Sequence, residues 1–389
     1  MRRASLGWRK AIRIILLLVV LLLGSPGCAL SPEVQNRAYV TAMGIDYEEG
    51  KWKAYIQVLN FSNIARTEAQ TLGSPVPPWI GRGSGDTVTL ALADAGKNAQ
   101  LQAFWGHVKV LIMSENAMRQ GTHEIQRAIN RYREVRYTIF MFGTKEPIEQ
   151  LLSTTSMFNL SPLDTIMFTG DQMRAPQSFL VPKKAHRVLA ALSEPGSPAI
   201  IPSIQSSPNN WSEGTKSMAM YMITGGYFFD QFKMIGRLRL DELKGLRWSN
   251  PEVQELPVQI HADGAIQAVI TLAAPKMKIQ PITVGERTQF DIEVHAQGYV
   301  LELNRQLSLK ELQDYVHAEA EADIRRTFAK GLSKGCDPLK LRYALYLSNP
   351  ERMRNGGEEA ASELRPDSIR SIRTEVHFAG FGKYKGRLD

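Results

Sequence analysis

Residues 38–61 read AYVTAMGIDYEEGKWKAYIQVLNF, and this stretch decides the fold of the first half of the chain. Its two arms, 38–46 and 51–61, are rich in β-branched, aromatic and aliphatic residues, a composition typical of β-strands. The four residues between them end on Gly50, and glycine accepts the positive φ that a tight turn requires. The stretch therefore predicts a β-hairpin.

Downstream of the hairpin, strand and helix patterns alternate along the chain. Polar residues that can cap a helix, Thr87, Ser114 and Thr122, each precede a run with helical spacing. Such alternation predicts an α/β domain whose sheet is covered by helices. The predicted order is a helix over 87–103, a strand over 107–113, two short helices over 115–133, a strand over 135–142 and a helix over 145–152.

The middle of the chain is dominated by residues that favour loops. Gly, Pro and Ser fill 71–85 (TLGSPVPPWIGRGSG), which predicts an exposed loop, and 203–216 (SIQSSPNNWSEGTK) is the best linker candidate. We therefore expect four parts: a lipoprotein signal peptide over 1–27, an amino-terminal α/β domain over 28–205, a small middle domain over 206–258 and a carboxyl-terminal α+β domain over 259–389.

The carboxyl-terminal part combines long strands with one strongly patterned helix. Apolar residues recur every four positions between 309 and 332, which predicts an amphipathic helix that buries one face. Strands are predicted over 258–261, 265–273, 289–303 and 371–379. The predicted fold class is mixed α/β and α+β, with several domains that are each a β-sheet flanked by α-helices. The apolar positions of the helix are Leu312, Val316, Ala320, Ile324 and Phe328.

The first 27 residues have the order of a secretory signal. Five cations precede an apolar run over 14–23, and small residues then lead to Cys28. An apolar helix of about ten residues spans roughly 15 Å, half of the hydrocarbon thickness of a bilayer. Ser25-Pro26-Gly27-Cys28 resembles a bacterial lipobox, in which the thiol of the cysteine receives diacylglycerol, although Pro26 is unusual there. The alternatives are an uncleaved amino-terminal anchor and an ordinary cleavage site beside a chance cysteine.

The leader also explains most of the net charge. The formal charge is +8, but the stretch before residue 28 carries five cations and no acid, so its removal leaves a body of +3. A body so mildly basic requires no nucleic-acid partner. Cys336 is the one cysteine besides Cys28, which leaves no disulfide framework, and we expect Cys336 to be a small buried residue rather than a nucleophile.

Patterns that carry chemistry are weak throughout. The seven histidines are dispersed without metal-ligand spacing, and 81–85 (GRGSG) lacks the Lys-Ser/Thr pair of a phosphate loop. Ser84 does not have the spacing of a nucleophile elbow. We therefore expect no catalytic residue, no metal site and no cofactor. A cluster of cations could be a solvated helix face, or it could meet anionic lipid headgroups or an acidic partner: Arg127, Arg131, Arg133 and Arg136.

The hairpin and residues 104–144 (FWGHVKVLIMSENAMRQGTHEIQRAINRYREVRYTIFMFGT) resemble the amino-terminal domain of the Ger(x)C spore-germination lipoproteins. Later segments, including 227–248 and the 309–332 helix, resemble that family in the same order. After the long helix, CDPLKLRYAL replaces the glycine-rich stretch usual in the family. The matching positions are Gly44-Ile45-Asp46, 106–111, Ser114-Glu115, Ala117, Gly121, Arg131 and Arg136.

The resemblance implies a role and a location. It implies the C-type subunit of a spore nutrient germinant receptor, without enzymatic activity, held by its lipid on the outer face of the inner spore membrane. The implied partners are two integral-membrane subunits, one A-type and one permease-like B-type. A solute-binding lipoprotein of a transporter, with a deep interdomain pocket, is the alternative. A lipoprotein hydrolase that uses Ser84 and Asp86 is a third hypothesis.

Overall fold

The computed structural model describes residues 37–59, 77–170, 179–252, 256–284, 287–304, 307–351 and 364–381, with Leu16 alone before them. The predicted signal peptide, Cys28 and residues 71–76 of the predicted loop therefore lie outside the described residues. Across the described ranges, no helix combines the length and apolar character that crossing a bilayer requires.

The larger sheet runs from residue 37 to residue 239 and is mixed. Its central strands β1, β5, β6 and β7 are parallel neighbours, and antiparallel strands extend it on both sides in the order β3-β2-β1-β5-β6-β7-β8-β9, with β4 also paired to β1. The strands are β1 Arg37–Glu48, β2 Lys51–Leu59, β3 Trp79–Gly85, β4 Gln102–Phe104, β5 Val110–Ser114, β6 Phe140–Thr144, β7 Ala199–Glu213, β8 Lys216–Asp230 and β9 Lys233–Arg239.

The predicted hairpin is confirmed as β1 and β2. The two strands pair from Tyr39 opposite Leu59 to Glu48 opposite Lys51, and Gly50 in the turn has φ +76°. A side chain there would be strained, which explains the glycine.

Four helices cover this sheet: α1 Val88–Gly96, α2 Glu115–Ile129, α3 Ile148–Ser153 and α4 Ala185–Ser193. Ser114 caps α2 as predicted, because its hydroxyl accepts the Ala117 N–H at 3.0 Å. The two predicted short helices are a single helix that is interrupted at Gly121. The helix predicted over 87–103 ends at Gly96, since the chain turns there to pair β4 with β1.

The smaller sheet is built from the carboxyl-terminal strands in the order β10-β11-β12-β13. The predicted strands and the long helix are confirmed, and the five apolar positions of that helix are all buried. The elements are β10 Leu256–Ala262, β11 Ala265–Val284, β12 Arg287–Leu303, α5 Leu309–Leu332, α6 Leu341–Ser348 and β13 Ile369–Phe381. A 3₁₀ helix, Leu240–Trp248, joins the two sheets along the chain.

Two apolar cores follow from the alternation of side chains across the larger sheet. Met43 and Met113 face a core shared with α1, α2 and α4. Ala42, Ile112 and Phe142 face the other way, into a core that continues into the smaller sheet and α5. The predicted class of sheets flanked by helices is confirmed.

The predicted linker over 203–216 is wrong. These residues form the ends of β7 and β8, which pair from Ala199 opposite Phe229 to Glu213 opposite Lys216 around a turn at Gly214, φ +61°. Polar residues do not exclude a strand here because this arm of the hairpin is exposed to solvent, where an antiparallel pair tolerates them. The predicted domain boundary at 205/206 falls inside β7, and the division into domains stays a prediction.

The predicted loop is also wrong over residues 79–85, which form β3 and pair with β2. Gly81, Gly83 and Gly85 occupy alternate positions, so all three lie on one face of the strand. α1 covers that face so closely that a Cβ on Gly81 would lie 2.8 Å from the Ala95 carbonyl oxygen. The lack of a side chain at these glycines therefore allows α1 to pack directly against β3.

Candidate functional site

The parallel strands begin at one edge of the larger sheet, and several cations of the sequence meet there. Lys109, just before β5, is held between its neighbours: its N–H donates to the Thr41 carbonyl at 2.9 Å, and its own carbonyl accepts the Phe140 N–H at 2.7 Å. α2 leaves the opposite edge and runs back, so residues 130–139 return the chain to β6 at the edge where Lys109 lies. Three arginines of the predicted cluster are in this return loop.

We name Lys109, Arg131, Arg133 and Arg136 the basic edge. All four side chains are exposed, and in the described part of the chain none of their charged groups has an ion-pair partner. The neighbouring carboxylate of Glu134 instead accepts the backbone N–H of Trp105 at 2.9 Å. Glu134 is the one acid among residues 130–139, so the basic edge keeps a net positive charge.

The imidazole of His107 lies close to these positive charges. Partial burial lowers the pKa of its imidazole, and the charges of Lys109 and Arg136 lower it further. His107 also contacts two aromatic rings, with centroids 5.0 Å from Tyr39 and 5.5 Å from Phe104. An imidazole packed against two aromatic rings therefore adjoins the basic edge.

A cavity of about 220 Å³ opens beside the basic edge, between α2, α4 and the sheet. Arg133, Arg136 and Tyr137 contribute to its lining at the return loop. Its volume lies below the roughly 300–1,000 Å³ of typical ligand pockets. An apolar wall with cationic groups suits a small amphiphile that carries negative charge. The apolar lining includes Leu111, Met113, Ile125, Ile129, Met141 and Leu189.

At the opposite end of the sheet, where the parallel strands end, polar side chains pair with one another. The Ser114 hydroxyl donates to the Asp46 carboxylate, which also accepts the Tyr47 N–H at 2.7 Å. Glu115 forms ion pairs with Arg119 at 2.8 Å and Lys145 at 3.3 Å. Desolvation would raise the pKa of Glu115, but the hydrogen bond from Arg119 and the charge of Lys145 outweigh it, so the pKa lies below its usual range. These polar groups form hydrogen bonds and ion pairs with one another, and they connect elements of the fold.

The other candidate residues are not brought together with reactive partners. The backbone N–H of Ser84 donates to the Asp94 carboxylate at 3.1 Å, and its hydroxyl is buried without a hydrogen bond among the described residues. Asp86 lies in the bend after β3. Cys336 is buried as predicted, and burial raises the pKa of its thiol to about 11. Within the described ranges, no cluster of three His, Cys, Asp or Glu side chains could hold a metal.

A wider groove of about 860 Å³ lies where α4, β11 and α6 meet. Two of the cations in its lining, Lys183 and Arg187, pair with Glu252, at 2.7 and 3.6 Å. The groove is the feature that bears on the solute-binding alternative.

Two family models match the chain in succession. "Spore germination protein N-terminal domain" matches residues 31–206, and "Spore germination B3/ GerAC like, C-terminal" matches residues 224–374. The chain belongs to the Ger(x)C family. A solved structure, "Crystal Structure of the GerBC protein", is similar to it with a TM-score of 0.49 and 16% identity, covering 87% of this chain and 96% of that chain. No curated protein matches the chain by sequence.

The residues that carry the Ger(x)C resemblance have two kinds of position. Asp46 and Ser114 join β1 to β5, and Gly44 lies directly under α3, where a Cβ would collide with Ile148 Cγ2. Arg131 and Arg136 lie on the basic edge instead. The Ger(x)C pattern thus includes strand contacts and part of an exposed cationic surface.

The sequence reasoning missed a buried polar cluster that attaches α5 to the 3₁₀ helix Leu240–Trp248. The Trp248 indole N–H donates to the Asp323 carboxylate at 3.0 Å, and Arg247 approaches the same carboxylate at 2.5 Å and Glu319 at 3.3 Å. Asp323 lies on the apolar face of α5, next to Ile324. A charge on an apolar stripe was the available signal.

Lys109 was also missed as a member of the cationic cluster. Its neighbours Val108 and Val110 are buried, whereas Lys109 is exposed. A lone cation at the start of an apolar strand was the signal, but only the parallel pairing shows that it meets the return loop.

Proposed function

We propose that this Ger(x)C protein is the C-type subunit of a spore germinant receptor and acts as a non-enzymatic scaffold or interaction subunit. The observation that carries the proposal is the succession of both Ger(x)C domains along one chain, from residue 31 to residue 374. The mutual pairing of the polar groups at the carboxyl ends of the strands supports a structural rather than a catalytic use of those groups. Its partners are an A-type and a permease-like B-type integral-membrane subunit.

The proposal includes a lipid anchor on Cys28 at the outer face of the inner spore membrane. The basic n-region, the short apolar run and the small residues before Cys28 support it. Nine residues lie between Cys28 and Ala38, where the folded body begins, so the two residues can be at most about 35 Å apart. The anchor therefore keeps the body close to the headgroups.

The anchor is tested by Cys28→Ala, with Cys336→Ala as a matched cysteine control. We expect radiolabelled palmitate to enter the wild type and Cys336→Ala but not Cys28→Ala. Cys28→Ala should also leave the membrane fraction and weaken nutrient-triggered germination. A membrane-bound, unlabelled chain that still begins at Met1 would contradict the lipid anchor and favour the uncleaved leader. Unchanged retention and germination in Cys28→Ala would remove the anchor from the proposal.

The groove of about 860 Å³ favours a second candidate, a solute-binding lipoprotein of a transporter. That function predicts that a transported solute raises the Tm of the chain by itself, in proportion to the logarithm of its concentration above Kd. The receptor proposal requires no such shift in the absence of the membrane subunits.

A further inference from the structure

The folded body has two different ends, and the chain enters at one of them. β1 starts at Arg37, and its fifth residue, Thr41, is hydrogen-bonded to Lys109. The chain from Cys28 therefore enters the body at the end of the sheet where the four cations of the basic edge lie. β7 runs in the same direction as β1, and its 15 residues span roughly 50 Å at about 3.3 Å per residue. The β7–β8 turn accordingly lies at the far end of the sheet.

We propose that the basic edge lies against an anionic lipid surface and so sets the orientation of the body on the membrane. This inference rests on the proposed anchor at Cys28, which would hold the basic edge within reach of the headgroups at a high effective concentration. It goes beyond the anchor because a lipid at the amino terminus does not by itself define the orientation of the body.

Charge is the first reason to infer lipid headgroups. Four exposed cations lie at one end of the sheet without an ion-pair partner among the described residues, and an anionic surface would attract them together. Each Lys or Arg near an anionic bilayer strengthens partitioning roughly fivefold. Three of these cations together therefore contribute on the order of a hundredfold at moderate salt.

Aromatic side chains at the same edge are the second reason. Tyr137 is 52% exposed, and the rings of Trp105 and Tyr132 beside it, with centroids 4.5 Å apart, are half-buried against the core. Amphipathic rings of this kind prefer the headgroup layer of a bilayer. Cations and aromatic rings together favour a lipid surface over an acidic peptide.

The far end of the sheet offers no comparable surface. At the β1–β2 turn, Glu48 and Glu49 adjoin Lys51, and at the β7–β8 turn Glu213 pairs across the hairpin with Lys216. The charges of each sign are interspersed there, so an anionic membrane attracts one end of the body and not the other.

The test uses the full lipidated chain in vesicles of phosphatidylcholine with or without phosphatidylglycerol. A fluorescent thiol probe is placed at Thr138→Cys in the return loop or at Thr215→Cys in the β7–β8 turn, both exposed positions. The buried Cys336 should remain unlabelled. Energy transfer to an acceptor in the headgroups then reports which end faces the bilayer.

We expect strong transfer from position 138 and weak transfer from position 215 in vesicles with phosphatidylglycerol, and a smaller difference at high salt. The triple variant Arg131→Glu, Arg133→Glu and Arg136→Glu should abolish the difference. Its matched control, Lys51→Glu, Lys53→Glu and Lys216→Glu, changes the net charge equally and should preserve it. Equal transfer from both positions, or a difference that survives the arginine reversals, would overturn the inference. If the triple variant does not fold, the dependence of the wild type on phosphatidylglycerol and salt decides the question.

The outcomes also separate this inference from the anchor. A chain that floats with both vesicle types but shows equal transfer keeps the anchor and loses the orientation. A chain that floats only with phosphatidylglycerol, through position 138, keeps the basic edge and contradicts the anchor. A chain that binds neither vesicle contradicts both, and an acidic protein partner would then be the occupant of the basic edge.

Discussion

Gly83→Ala should destabilise the protein although it adds one methyl group to an edge strand. A Cβ at residue 83 would lie 2.8 Å from the Ala95 Cα and closer still to the Ala91 carbonyl oxygen and the Ala95 N–H. These are backbone atoms, so no rotamer change relieves the clash, and α1 must retreat by about 1 Å to restore ordinary contact. A gap of that size forfeits between a quarter and a half of the dispersion energy between α1 and the sheet. Overpacking of this kind costs about 1–3 kcal/mol.

Thermal unfolding followed by circular dichroism measures the effect. A loss near the upper end of that range lowers the Tm by roughly 4 °C in a protein of this size. Gly96→Ala is the matched control, because no heavy atom lies within 4 Å of a Cβ built there, at the end of the same helix. Alanine is favoured over glycine in a helix by about 1 kcal/mol, so the Tm of Gly96→Ala should be unchanged or higher. A Tm for Gly83→Ala equal to that of the wild type would refute the packing of β3 under α1 and restore the loop prediction.

Three further predictions concern the cores and the smaller sheet. Asp323→Ala removes one of the two carboxylates that pair with the buried guanidinium of Arg247, and also the acceptor of the Trp248 indole N–H, so it should cost about 3 kcal/mol in urea unfolding. Asp323→Asn, which keeps an acceptor, should cost less, and equal losses would contradict the buried ion pair. The Cys336 thiol should react slowly with a thiol reagent in the native state and rapidly in urea, because burial raises its pKa to about 11. If the native protein were labelled as fast as the unfolded chain, Cys336 could not be buried. The hydrogen bond from Arg370 lowers the pKa of Asp291 to about 2, below the value near 4 of an unfolded aspartate, so the pair stabilises the fold above pH 4 and loses this contribution as the pH falls toward 2. Asp291→Asn should therefore be less stable than the wild type at neutral pH and indistinguishable from it near pH 2, and a constant difference across that range would contradict the pairing.

The elements with strong periodicity could be predicted from the sequence because local and tertiary preferences agree there. The hairpin over residues 38–61 and the helix Leu309–Leu332 both have the predicted type, and the helix has the predicted bounds. In the helix, Ser308 and Glu311 form a capping box, so its start is specified locally. Such agreement between levels makes an element predictable.

The wrong predictions concern two segments whose composition suggests a loop or a linker, whereas contacts distant in sequence make them strands. Glycines at 81, 83 and 85 indicate a flexible loop by composition, but their alternate spacing reflects contact with α1, which a single-sequence reading of loops ignores. The polar stretch 203–216 indicates a linker by composition, although an exposed antiparallel arm accepts polar residues on its solvated face. In both cases the deciding contact is distant in sequence.

The candidate site was partly predictable for a similar reason. Arg131, Arg133 and Arg136 are close in sequence, so their clustering is visible there, whereas Lys109 joins them only through the parallel pairing of β5 and β6. The sequence also suggested two destinations for these cations, solvent or an anionic surface. Lys109 lies at the end of the sheet where β1 starts, and this location favours an anionic surface over solvent.

We propose that this Ger(x)C protein works as a subunit of a membrane receptor for a nutrient that triggers germination. The most direct measurement is affinity purification of the tagged full chain from detergent-solubilised spore membranes, followed by identification of the proteins that co-purify. We expect two polytopic membrane proteins, one of them permease-like, in fixed ratio to the chain, and loss of the response to one nutrient in spores that lack the chain. Purification of the chain free of any polytopic protein, together with an undiminished response to every nutrient tested, would contradict it.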